Sequence, residues 1–182
     1  MLGREDLNPN IPDNKGLTPL TMAVWKEREG VVKLLLGRED VNPNTPDNNG
    51  LTPLVFAAVD GHGGVVKLLL GREDVNPNIS DNDGETPLME AIWGRHGGVV
   101  KILLERKDIN INTPGKAGRT PLWLACLAGD ERLVELLLQR EDIDPTMPNK
   151  AGETPFSVAS KMRHQGVVKL LQAHKSANSD TV

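Results

Sequence analysis

The tripeptide Thr-Pro-Leu returns along this chain at a fixed step. It starts at Thr18, Thr52, Thr86 and Thr120, comes back as Thr-Pro-Phe at Thr154, and every interval is 34 residues. A period in this range marks a stack of like units, none of which can bury its apolar face alone. The 182 residues therefore read as one elongated array rather than a globule around a single centre.

Residues 47–80 show what one unit is. Asp47-Asn48-Asn49-Gly50 is turn chemistry, short polar side chains followed by a residue that tolerates positive φ. Thr52 suits a helix N-cap, and Pro53 suits the first helical position, where its missing N–H costs nothing. Leu54, Ala57 and Ala58 then give one apolar face at i, i+3 and i+4. Gly61-His62-Gly63-Gly64 breaks this short helix, and Val65 to Leu70 supplies a second apolar helix. Asp74-Val75-Asn76-Pro77-Asn78 runs extended through its proline as a finger.

The fold expected is an all-α solenoid of paired helices with hairpin-like fingers. Its units are 13–46, 47–80, 81–114 and 115–148, closed by a more polar capping unit at 149–175. Residues 1–12 repeat the tail of a preceding unit, and the small polar residues 176–182 are expected to be disordered. The first unit is expected to leave Leu20, Val31 and Leu34 uncovered. A monomer is expected, with that face as the route to self-association. Asp180-Thr181-Val182 has a faint look of a carboxylate-capture ligand.

Charge and cysteine usage narrow the function classes. The net charge is -4, and Lys101, Arg106 and Lys107 sit among acids as a solvated face, so a grip on nucleic acid is not expected. No apolar run reaches membrane length, and the single cysteine, Cys126, forms no internal disulfide, so a cytoplasmic or nuclear setting is expected. Cys126 occupies an alanine slot and reads as a small core residue. His62, His96 and His164 fall in the same slot of different units. Stacked helices lie about 8–10 Å apart, too far for these rings to share an ion. Gly115-Lys116-Ala117-Gly118-Arg119-Thr120 lacks the spacing of a phosphate loop. No serine–histidine–acid set is present; no enzyme, metal or cofactor is expected.

Asp-x-x-Gly-x-Thr-Pro-Leu, followed by Ala-Ala, Gly-His and Val-Val-Lys-Leu-Leu-Leu, resembles the ankyrin repeat, and five copies in register cover nearly the whole chain. The Gly-Arg-Glu-Asp-Val-Asn-Pro-Asn segments further resemble the near-identical ankyrin arrays of large fungal multidomain proteins. The family period is about 33 residues, and the extra length falls after Asp74, which predicts a longer or bulged finger. The family's histidine after Thr-Pro-Leu is replaced by Thr21, Val55, Met89, Trp123 and Ser157. Packing is expected to stand in for its hydrogen bonds, with Trp123 a packing residue and Met22, Phe56 and Leu124 core.

Comparing the copies locates a candidate surface. Residues 30–44 and 64–78 are identical, while 21–29 and 55–63 differ. The resemblance implies that first helices and fingers line a concave, partner-binding side. The residues expected to bind are Trp25, Lys26, Val59, Asp60, Trp93 and Leu127 at the first-helix ends, with Lys15, Leu17, Asn49, Leu51, Asp83, Glu85 and Arg119 at the turn tips. Tryptophan is the residue type most enriched in binding hot spots. The function expected is a non-catalytic module binding a protein partner, within a larger multidomain protein. The alternative is a spacer or sensor arm regulating a neighbouring domain.

Overall fold

The computed structural model describes residues 8–179. They form ten helices: α1 Pro19–Trp25, α2 Glu29–Leu36, α3 Pro53–Val59, α4 Gly63–Leu70, α5 Pro87–Trp93, α6 Gly97–Leu104, α7 Pro121–Ala128, α8 Glu131–Leu138, α9 Pro155–Lys161 and α10 Gln165–Ser179. No strand forms among the described residues. The odd-numbered helices pack on one another in order along the chain, as do the even-numbered ones, which gives two layers. The core is the seam between them, a continuous cluster from Leu20 to Leu171. Leu54 and Leu69, 1% and 0% exposed, show its quality; burying a side chain of this size stabilises by about 2 kcal/mol.

The recurring tripeptide starts every odd helix. Thr18, Thr52, Thr86, Thr120 and Thr154 are extended N-caps whose hydroxyls accept from the backbone N–H three residues on. The leucine of the tripeptide faces the following unit. Leu20 is 1% exposed although it belongs to the first described helix pair, whereas its counterpart Phe156, in the last described pair, is 42% exposed. The expectation that Leu20 lies uncovered is thus corrected. Val31 and Leu34 are uncovered, at 48% and 76%.

The fingers are turns bound to their neighbours. Asp13, Asp47, Asp81 and Asn149 each accept from two backbone N–H groups of their own turn. The lengthened stretch after Asp74 has a specific use. The Asn44 amide donates to the Asp74 carbonyl at 2.6 Å and accepts from Asn76 N–H at 2.9 Å. Asn10, Asn78 and Asn112 make the same two bonds to the next unit. Thr146 holds this slot in the fourth unit and bonds back to Asp144 instead.

A second clasp runs the other way. Arg72, Arg106 and Arg140 each fork the aspartate two residues on and donate to the Leu36, Leu70 or Leu104 carbonyl at the end of the preceding unit's second helix. Arg106 is therefore an inter-unit clasp and not part of a solvated face. The arginine hydrogen bonds hold Asp74, Asp108 and Asp142 below the usual carboxylate range.

Helix α10 runs to Ser179. Residues 176–179, expected to be disordered, are helical because Gln172 to Ser179 contains no glycine or proline and is rich in helix formers. The remaining tail residues, including Asp180-Thr181-Val182, lie outside the described residues, as does the segment Leu2 to Leu7.

Candidate functional site

The end of each odd helix projects between the stacked fingers and the inter-helix turns. Trp25, Val59 and Trp93 hold one slot on α1, α3 and α5 and are 42%, 40% and 46% exposed. Leu127, in the same slot of α7, is half-buried and packs against the core, so it offers less surface than expected. Lys26 lies 4.0 Å above the Trp25 ring, and Asp60 is exposed.

Between the first two units the turn tips and helix ends border an open cavity of about 410 Å³, lined by Leu17, Trp25, Leu51 and Phe56 with Lys15 and Asn49. Five residues expected from sequence thus meet at one place. Leu17 is buried and presents only an edge. Phe56, read as core from sequence, is half-buried, packing on the core and lining this wall, whereas Met22 is exposed at the surface. Leu124 is buried as expected.

The third unit changes the chemistry. Glu85 replaces the leucine of Leu17 and Leu51, and Glu90 replaces the apolar residue of Met22, Phe56, Leu124 and Val158. Burial, then Glu90 and Asp81, push Glu85 up to about 7, against Arg119, which acts to lower it. Burial, with Asp81 and Asp83, also raises Glu90. Gly115 stands where other units have Asp or Asn. A Cβ there would lie 2.6 Å from Glu85 Oε1, so the glycine makes room for this carboxylate. Glu85 Oε2 and Arg119 Nε are both buried without a hydrogen-bond partner. Asp83 pairs with Lys116 at 2.8 Å, both well exposed, and Arg119 stacks 5.0 Å from the Trp123 ring. Glu90 was missed from sequence; its signal was a single charged residue in an otherwise apolar slot.

Other candidates resolve into structure. Trp123 is buried and donates through Nε1 to the Glu153 carbonyl at 3.0 Å, linking two units where the family's histidine would act. His96 donates to the Val59 carbonyl at 2.9 Å and His164 to that of Leu127 at 3.2 Å, each capping the preceding unit's first helix. Gly61 and Gly129 have positive φ, and a Cβ on either would lie 2.5 Å from the His96 or His164 ring. Elsewhere this junction pairs Glu27 with His62, 3.7 Å apart. Burial pushes the Cys126 thiol up to about 12, which leaves no thiolate near neutral pH. Among the described residues no group of three or more His, Cys, Asp or Glu could hold a metal ion, and no helix is long and apolar enough to cross a membrane.

No curated protein matches the chain. The family model described as ankyrin repeats, three copies, matches residues 29–114 and again 98–181. With its paired helices, threonine caps and stacked fingers, the chain belongs to the ankyrin repeat family, whose members generally serve protein–protein interaction and are typically not enzymes.

Proposed function

We propose that this array binds a protein partner along the groove between its first-helix ends and its turn tips, as one module of a larger protein. The observation that carries the reading is the row of Trp25, Val59 and Trp93. Three consecutive units leave a large apolar side chain 40–46% exposed in one slot, where the last unit has Lys161. A contiguous apolar strip with polar rims is what a partner-binding surface requires. The cavity between Trp25 and Phe56 gives the strip an anchor pocket.

The alternative, a spacer or sensor arm, is supported by the identity of residues 30–44 and 64–78, within which Arg72 and Asn44 bind neighbouring units.

The test is selection of a random peptide library, displayed on phage, against the whole chain. Selected peptides should bind Trp25→Leu/Trp93→Leu at least tenfold more weakly. Leucine is already the residue of this slot in the fourth unit, so the fold accepts it. Equal binding to both chains would place the partner site elsewhere.

A further inference from the structure

We propose that the partner segment carries a lysine or arginine that docks between the third and fourth units against Glu85 and Glu90, with an apolar side chain in the Trp25–Phe56 cavity. The proposal rests on the groove reading above and adds the chemistry of the occupant.

Three departures from the repeat pattern coincide at this one place. Glu85 stands in a leucine slot, Glu90 stands in an apolar slot, and Gly115 has lost the side chain that would displace Glu85. Drift of solvated residues does not account for two carboxylates in partly buried slots, where burial disfavours their charge. The charge is also uneven. Asp81, Asp83, Glu85 and Glu90 interact there with two cations, Lys116 and Arg119. Lys116 is committed to Asp83, and Arg119 lies on Trp123 and offsets part of the Glu85 charge. Asp81 is committed to the N–H groups of Asp83 and Glu85. Glu85, half-buried and with no hydrogen-bond partner for Oε2, and the half-buried Glu90 are the carboxylates that a docking cation would meet.

The apolar part of the groove leads to this seat. Glu90 and Trp93 are three residues apart on α5 and so share a face, and α3, which carries Phe56 and Val59, packs beside α5. A cation seated here lies beside the exposed Trp93 ring, which favours Lys or Arg over a neutral polar group. Stacked helices lie about 10 Å apart and an extended chain advances about 3.3 Å per residue, so the two anchors of the partner stand about six residues apart.

The same phage selection tests this with the whole chain. Enriched peptides should pair an aromatic or aliphatic residue with Lys or Arg about six positions away. Their binding should weaken at least tenfold in Glu85→Gln/Glu90→Gln and should weaken with rising salt. Glu85→Leu/Glu90→Leu, which restores the residues of Leu51 and Leu124, guards against a folding defect and should behave alike. Peptides that need Trp25 and Trp93 but ignore both glutamate variants would overturn the cation seat and leave the groove standing. Peptides indifferent to the tryptophans, or no enriched family at all, would overturn both.

Discussion

In the first two units residues 30–44 and 64–78 are identical, whereas 21–29 and 55–63 agree only at Ala23 and Ala57. The constant stretch holds the bonds between units: the Arg72 clasp on the Leu36 carbonyl and the Asn44 clasp on the next finger. The variable stretch has two parts. At its turn, change in one unit is matched in the next, as Gly61 makes room for His96 and Glu27 faces His62. At the helix end, Trp25 and Val59 stay 42% and 40% exposed, and Trp25 borders an open cavity with Leu51 and Phe56 of the next unit. Variation between copies therefore has two sources, and only the part that leaves exposed apolar side chains supports the proposed groove.

The comparison breaks first at the turn. Gly61→Ala places a Cβ 2.5 Å from the His96 ring at a backbone φ of +74°, so it should cost about 2–3 kcal/mol by urea unfolding. Adding His96→Ala should recover the steric part. A silent Gly61→Ala would mean that the turn is not matched to its neighbour. Next, Asn44→Ala removes two bonds to the following finger and should cost about 1–2 kcal/mol.

These two predictions also mark what the sequence conceals. Thr52 and Pro53 announce a helix start locally, so the helices, their order and the family were legible from the repeat. The clasps were not, because Asn44 and Arg72 act on residues about one period away, and an isolated unit shows them as polar loop residues. Leu20 was misplaced for the same reason: which neighbour covers it depends on the direction of stacking. In the groove, Trp25, Val59 and Trp93 were legible as outliers between copies. Glu90 needed a closer comparison of its slot, and the room left by Gly115 needed coordinates.

Glu85 sharpens the comparison on the groove side. Its folded-state value is raised to about 7 from an ordinary 4.5, so its contribution to stability is fully present below pH 4.5 and is lost as pH rises through 7. Glu85→Gln should therefore gain on the wild type as pH rises from 5 to 8, by about 1 kcal/mol after allowance for solvent screening. Thermal unfolding across that range checks it, and a constant difference would contradict the burial of this carboxylate. The smallest effect is expected from Asp74→Asn. The Asp74 value is depressed by its arginine hydrogen bond, so its contribution is present above the ordinary carboxylate range and fades as pH falls through the lowered value. The loss near pH 7 should be about 0.5 kcal/mol and should disappear in acid.

The asparagine ladder bonds each unit to the next, and the tryptophan row is proposed to serve an outside partner. The direct measurement is urea unfolding of Asn44→Ala/Asn78→Ala beside Trp25→Leu/Trp93→Leu, followed by circular dichroism. The asparagine pair should lose about 2–4 kcal/mol, and the tryptophan pair no more than about 1 kcal/mol, as for surface positions. A tryptophan pair that loses as much as the asparagine pair would make Trp25 and Trp93 packing residues and contradict the account.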